Sequence, residues 1–212
     1  MLMRTTKRKN KGKVSFHPVF RIYCIGDTEK NYFDSLCFDR YRSISIPVKP
    51  TLPKHQDYRK VLDLVKEELK DKSTPNPQGI FIVLDMDTIH QKGNYRDYTV
   101  RKEGILKNWG NTVCFIESRP CIEFWFLLHY IYADKLFERC SEVLTELKKH
   151  LSDYSKSNVY TEKIYERIKD KLETAITNSK QIAAKERIEG EEYSYTKIHE
   201  CIEILDTFNV ES

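Results

Sequence analysis

The chain has 212 residues, 40% hydrophobic and 32% charged, which suits one large domain that buries its own core and excludes a disordered polymer. The longest apolar run, around residues 124–132, is interrupted by His129 and is too short to cross a bilayer; no apolar signal core follows the basic N-terminus, so a cytoplasmic protein with no membrane partner is expected. The net charge of +4 is uneven, because residues 1–13 carry six cations and no acid, which leaves the remainder at −2.

Residues 1–15 read as a basic flexible arm in which Lys7, Arg8, Lys9, Lys11 and Lys13 are candidates for nucleic-acid binding. A solvated tail that aids solubility fits the same composition. Phe20–Ile25 is rich in β-branched and aromatic residues and reads as a buried strand, broken by Gly26. Thr28 is placed to N-cap the helix that follows, with Glu29 in its first turn and Tyr32, Phe33 and Leu36 on one face. Residues 44–48 form a candidate second strand, and Val61, Leu64, Val65 and Leu69 mark a helix over 57–70. After the loop STPNPQG at 73–79 comes an apolar strand, 80–84, ending at Asp85. A helix over 101–109, a strand over 112–116 and a buried helix over 121–132 follow.

Beyond residue 132 the pattern is helical: an amphipathic segment at 142–151, one face marked by Ile164, Ile168, Leu172 and Ile176, and a last helix carrying Ile198, Cys201, Ile202 and Leu205. The six cysteines form no C-x-x-C pair and sit in apolar segments, so they are expected to be reduced core thiols rather than zinc ligands or disulfides.

Apolar strands alternating with helices predict an α/β fold with a mostly parallel sheet, in which functional groups gather beyond the C-terminal strand ends. The acids there are Glu29, Asp85, Asp87 and Glu117. Asp85 and Asp87 are one residue apart, and in extended backbone alternate side chains share a face. Two carboxylates in one crevice repel unless a cation lies between them, and hard oxygen ligands suit Mg²⁺ or Mn²⁺. Solvated or helix-capping roles are the plain counterparts for each acid. Arg119 is placed to bind phosphate or brace Glu117, Glu123 to aid the start of a helix, and His129 to be a satisfied core histidine. P-loop, G-x-G-x-x-G, G-x-S-x-G and H-E-x-x-H sequences are absent.

The blocks CIGDTEKNYFDSL, FIVLDMD, ESRPCIEFWFLLHY and YSYTKIHECIEIL, spread over residues 20–205, resemble in order the signature blocks of RloB-like proteins. That family is similar to TOPRIM proteins and is associated with restriction and phage-defence loci, often beside an ATPase partner. The resemblance implies a TOPRIM-like α/β core over 16–132, a helical C-terminal extension over 133–212 packing on it, and a divalent-metal site. It assigns metal binding to Asp85, Asp87 and Glu29, assistance in catalysis to Glu29 and Glu117, and charge neutralisation to Lys197, a role that Arg119 is also placed to take at its strand end. The family's first block usually reads C-E-G-x-T-E; here Ile25 stands in place of the first glutamate. An isoleucine neither ligates a metal nor moves a proton.

Two readings follow. One is a Mg²⁺- or Mn²⁺-dependent nuclease that hydrolyses phosphodiesters of DNA or RNA in phage defence. The other is a catalytically degenerate TOPRIM-like subunit that binds nucleic acid or regulates a partner ATPase. A third, an RNA-binding module that stacks bases on aromatic side chains, has only the 13 tyrosines in its favour. A homo-oligomer is left open.

Overall fold

The computed structural model describes residues 18–49, 57–71, 73, 76–91, 93–189 and 191–209. The arm at 1–15, with Lys7, Arg8, Lys9, Lys11 and Lys13, lies outside them. In chain order the elements are β1 (Phe20–Cys24), α1 (Asp27–Arg40), β2 (Val48–Lys49), α2 (Tyr58–Lys70), β3 (Gly79–Asp85), α3 (Asp87–Gln91), α4 (Tyr95–Trp109) and β4 (Val113–Arg119). They continue with α5 (Glu123–Leu128), α6 (Cys140–Leu147), α7 (Asn158–Thr161), α8 (Ile164–Ile168), α9 (Leu172–Ala184), β5 (Tyr195–Thr196) and α10 (Ile198–Phe208).

Among the described residues these make a five-stranded sheet in the order β2-β1-β3-β4-β5. The first four strands are parallel and β5 is antiparallel to β4. This is the expected α/β fold with a mostly parallel sheet. None of the described helices is long and apolar enough to cross a membrane.

The strand period of two divides the core into two layers. Ile22, Cys24, Phe81, Val83 and Ile116 face a large cluster shared with α1 and α5–α10. Tyr23, Ile80, Ile82, Leu84, Val113 and Phe115 face a smaller one closed by α2 and α4. Apolar residues on both faces explain the nearly unbroken hydrophobic runs of β1 and β3. The segment after residue 132 shares the larger cluster with β1 and α1 and adds β5 to the sheet, so it is helical but not wholly so.

Several element boundaries depart from the sequence reading. Gly26, in extended conformation (φ −119°, ψ 165°), is the N-cap of α1, so Thr28 lies inside the helix. Helix α5 is shorter than the apolar run suggests; the His129 N–H donates to the Phe126 carbonyl, an i→i−3 bond that tightens the last turn. The face marked by Ile164 to Ile176 is interrupted by a 3₁₀ turn at Lys169–Lys171, across which Ile168 and Leu172 both stay buried.

The thiol expectation fails for one pair: Cys121 and Cys140 form a disulfide, while Cys24, Cys37, Cys114 and Cys201 are free. The two bonded residues are 19 apart in sequence, and only the packing of α5 on α6 brings them together.

In the larger cluster the Trp125 indole N–H donates to the Tyr32 hydroxyl at 2.7 Å, both side chains being fully buried. Tyr32→Phe leaves that N–H unpaired in an apolar site. The expected loss is about 1–3 kcal/mol of unfolding free energy, read by urea denaturation. An unchanged midpoint would show that the bond contributes nothing net.

Candidate functional site

Strand order places β1 and β3 side by side while their connections leave in opposite directions, to β2 and to β4. Helix α1 covers one face of the sheet and α4 the other. Such a reversal opens a crevice beyond the C-terminal strand ends. A cleft of about 960 Å³ lies there, with Ile25, Glu29, Asp85, Ile122, Glu123 and Lys156 in its lining.

Glu29, Asp85 and Glu123 arrive from three different elements, and Lys156 from the segment between α6 and α7. Glu29 sits in the first turn of α1, 5% exposed. Asp85 ends β3, and its Oδ1 accepts the Ile122 N–H at 2.8 Å, tying the strand end to the start of α5. Glu123 opens α5 and is fully buried. Its Oε1 accepts from the Tyr154 hydroxyl at 2.9 Å and pairs with the Lys156 ammonium at 2.8 Å.

Burial and then the neighbouring Glu123 charge push the Glu29 carboxyl up to about 7, against a favourable bond from its own backbone N–H. Burial, then Glu29, Glu123 and Asp87, push Asp85 well above the usual carboxylate range, with Lys156 opposing. Burial weakens the Lys156 ammonium, but Glu123, Asp85 and Glu29 more than offset it and hold the proton firmly. The cleft therefore gathers more carboxyl groups than Lys156 can neutralise, so they resist ionising together, and a divalent cation is the kind of group that would favour their ionised forms.

Of the residues expected from sequence, Glu29 and Asp85 meet in this cleft, and the others lie elsewhere. Asp87 is in the first turn of α3, where its N–H donates to the Pro120 carbonyl at 2.9 Å. The extended backbone ends at Asp85, so the shared-face rule does not carry over to Asp87. It stays close enough for its charge to act on Asp85, but it is not among the residues lining the cleft.

Glu117 pairs in register with Leu84, one residue away from Asp85 and Ser118. That parity turns it to the opposite face of the sheet. There its Oε1 accepts from Tyr98 and Lys102, each at 2.5 Å, and its Oε2 pairs with Lys197 at 3.1 Å. Burial alone would raise the Glu117 carboxyl, but these partners outweigh it and hold it below the usual range. Lys197 is thus engaged with Glu117, and Arg119 pairs with Glu192 at 3.1 Å. His129 is buried with Nδ1 at 2.9 Å from the Trp125 carbonyl, and burial lowers it to about 4, so it stays neutral.

The cleft includes four charged residues to which sequence assigned no site role, Asp27, Asp57, Glu123 and Lys156. An acid inside the run CIEFWFLL is a signal that it has a buried partner, and that signal marks Glu123. Nothing local marks Lys156; it becomes visible only when α7 packs on α1. The Ile25 side chain lines the same cleft, at the position that the resemblance gives to a glutamate.

A family model described as RloB-like protein matches residues 20–205. The chain belongs to the RloB-like family. A search of curated proteins and a search of solved structures each found no match. In this RloB-like chain the matched span runs from β1 into α10 and so contains every charged residue of the cleft.

Gly26 of this RloB-like chain has a specific spatial role. A Cβ there would stand 3.2 Å from the Glu29 carboxyl carbon and closer still to Oε2. Since φ is −119°, alanine is not strained at this position; it displaces the carboxylate instead. Gly26→Ala is expected to change unfolding free energy by less than about 1 kcal/mol, and any Mn²⁺ that the Glu29 carboxylate holds is expected to bind at least about tenfold more weakly by calorimetry. Unaltered Mn²⁺ affinity would show that the Glu29 position is not critical.

Proposed function

We propose that this chain is a divalent-metal-dependent phosphodiesterase that acts on DNA or RNA. The observation that carries the reading is the meeting of Glu29 and Asp85 with Lys156 in one cleft at the sheet's switch point, both carboxyls raised first by burial and then by neighbouring acids, Glu123 for Glu29 and Glu29 for Asp85. Two hard carboxylate ligands fit Mg²⁺ or Mn²⁺. When bound, the metal supplies Lewis-acid polarisation of a phosphoryl oxygen and a lower pKa for attacking water.

The chain's own groups do the rest. Glu29 and Asp85 would hold the ion from two elements fixed by the sheet and by the Asp85–Ile122 bond. Lys156, oriented by Glu123, offsets charge that builds on the phosphoryl oxygens. Tyr154 fixes Glu123 in turn. Asp87, outside the cleft lining, adds its charge to the field at Asp85. The arm with Lys7, Arg8, Lys9, Lys11 and Lys13 contributes phosphate contacts. Family resemblance supports a setting in phage defence beside an ATPase partner.

The degenerate-subunit reading has one observation in its favour: an apolar Ile25 lines the cleft in place of the family's first glutamate. The two readings separate in one assay. Plasmid, single-stranded DNA and RNA are incubated with the chain and Mn²⁺ or Mg²⁺, beside Asp85→Asn, which keeps the acceptor for Ile122 and removes the charge. Cleavage by the wild type and its loss in the variant is the expected result. Equal cleavage in both preparations would sink the enzymatic reading, and Mn²⁺ binding without cleavage would leave the degenerate subunit. In the last case Ile25→Glu is expected to introduce cleavage.

A further inference from the structure

We propose that the Cys121–Cys140 pair in its reduced form, together with Glu123, is a binding site for one thiophilic divalent cation of the zinc class. The two sulfurs, joined to each other in the disulfide, have a Glu123 carboxylate oxygen within 4.8 Å. Two thiolates and a carboxylate are a donor set for zinc rather than for magnesium, which prefers oxygen alone.

Glu123 is already divided between two tasks. Its Oε1 is held by Tyr154 and Lys156, whereas its Oε2 lies 3.1 Å from the Cys140 sulfur. A disulfide sulfur carries no proton, so in the oxidised chain that approach is a contact and not a hydrogen bond. Tyr154 and Lys156 act on the carboxylate as outer partners act on a metal ligand, fixing its orientation. The charges also balance. Two thiolates, one carboxylate and a divalent cation sum to −1, and the Lys156 ammonium, 3.5 Å from the Cys140 sulfur, offsets it. Three protein ligands leave the fourth tetrahedral position for water.

A dithiol reductant delivers two electrons and two protons, the S–S bond breaks, and the reductant becomes a disulfide. Cation binding then releases the two thiol protons. The oxidised pair has no thiolates to offer, so the site exists only in the reduced chain. It lies beside the Glu29–Asp85 pair, shares neither of those residues, and stands whether or not the cleft is catalytic.

The test uses Co²⁺ on the full chain, reduced with a dithiol and then freed of reductant and metal under inert gas. Expected is a sulfur-to-cobalt charge-transfer band that saturates at one equivalent and disappears on addition of Zn²⁺. The oxidised chain shows no band. Cys121→Ser and Cys140→Ser each lose it, Glu123→Gln weakens Co²⁺ binding at least about tenfold, and Asp85→Asn keeps it. Where a serine variant does not fold, alkylating the thiols of the reduced wild type must abolish the band. No band in the reduced chain, or one that survives alkylation, overturns the proposal. So does a band lost in a folded Asp85→Asn chain, which would make cation binding depend on a residue outside the proposed donor set.

Discussion

Glu29→Gln is expected to lower metal-dependent cleavage by at least about 10²-fold and at the same time to stabilise the fold above pH 7. The two effects share one cause. The Glu29 carboxyl is raised to about 7 in the folded chain from an ordinary value of 4.5, first by burial and then by Glu123. The folded state therefore holds a proton between pH 4.5 and 7 that the unfolded state has lost. Stability from this group is fully present below 4.5, falls as pH rises through that window, and is gone above 7.

The shift sets an upper bound of about 3 kcal/mol on the loss. Asp85, raised by burial and by Glu29, adds to it with the same sign. Urea unfolding at pH 4.5 to 8.5 is the measurement. The wild type is expected to weaken across the window, with a shallower dependence in Glu29→Gln and a gain of about 1–3 kcal/mol for the variant at pH 8. Saturating Mn²⁺ at pH 8 should raise the wild-type melting temperature and leave the variant where it was. A wild type whose stability is flat between pH 4.5 and 7 would show that burial does not raise the Glu29 carboxyl.

Lys156→Met is expected to cost about 2–3 kcal/mol of stability, because it leaves the Glu123 charge buried without a counter-ion. The loss stays below the full penalty for a broken buried pair for two reasons. The Lys156 side chain is half exposed, and Tyr154 still donates to Glu123. The informative comparison is the double variant Lys156→Met with Glu123→Gln, in which the uncompensated charge is gone. It should recover more than half of the loss in a thermal-unfolding cycle. Equal instability in single and double variants would mean that Lys156 contributes through its packed stem and not through its charge. Cleavage should fall in both, since neither retains the cation.

The α/β class was legible because both faces of the sheet are covered, so β1, β3 and β4 announce themselves as apolar runs between helical periods. Glu29 and Asp85 were legible for a related reason: strand ends in such a sheet mark the crevice, and local pattern marks strand ends. Helix boundaries were less so. The spacing of Ile164, Ile168, Leu172 and Ile176 survives a 3₁₀ turn, because the turn keeps both flanking residues buried.

The sequence by itself determined the family, the α/β class and two of the cleft's carboxylates, since all three rest on local pattern and on blocks of contiguous residues. The tertiary structure alone decided what joins them. Strand register turns Glu117 away from Asp85 and toward Lys102 and Lys197. The return of the chain after α6 brings Lys156 to Glu123, and the packing of α5 on α6 joins Cys121 to Cys140. Register and long-range pairing depend on how whole elements bury their faces against one another, and no window of neighbouring residues carries that information.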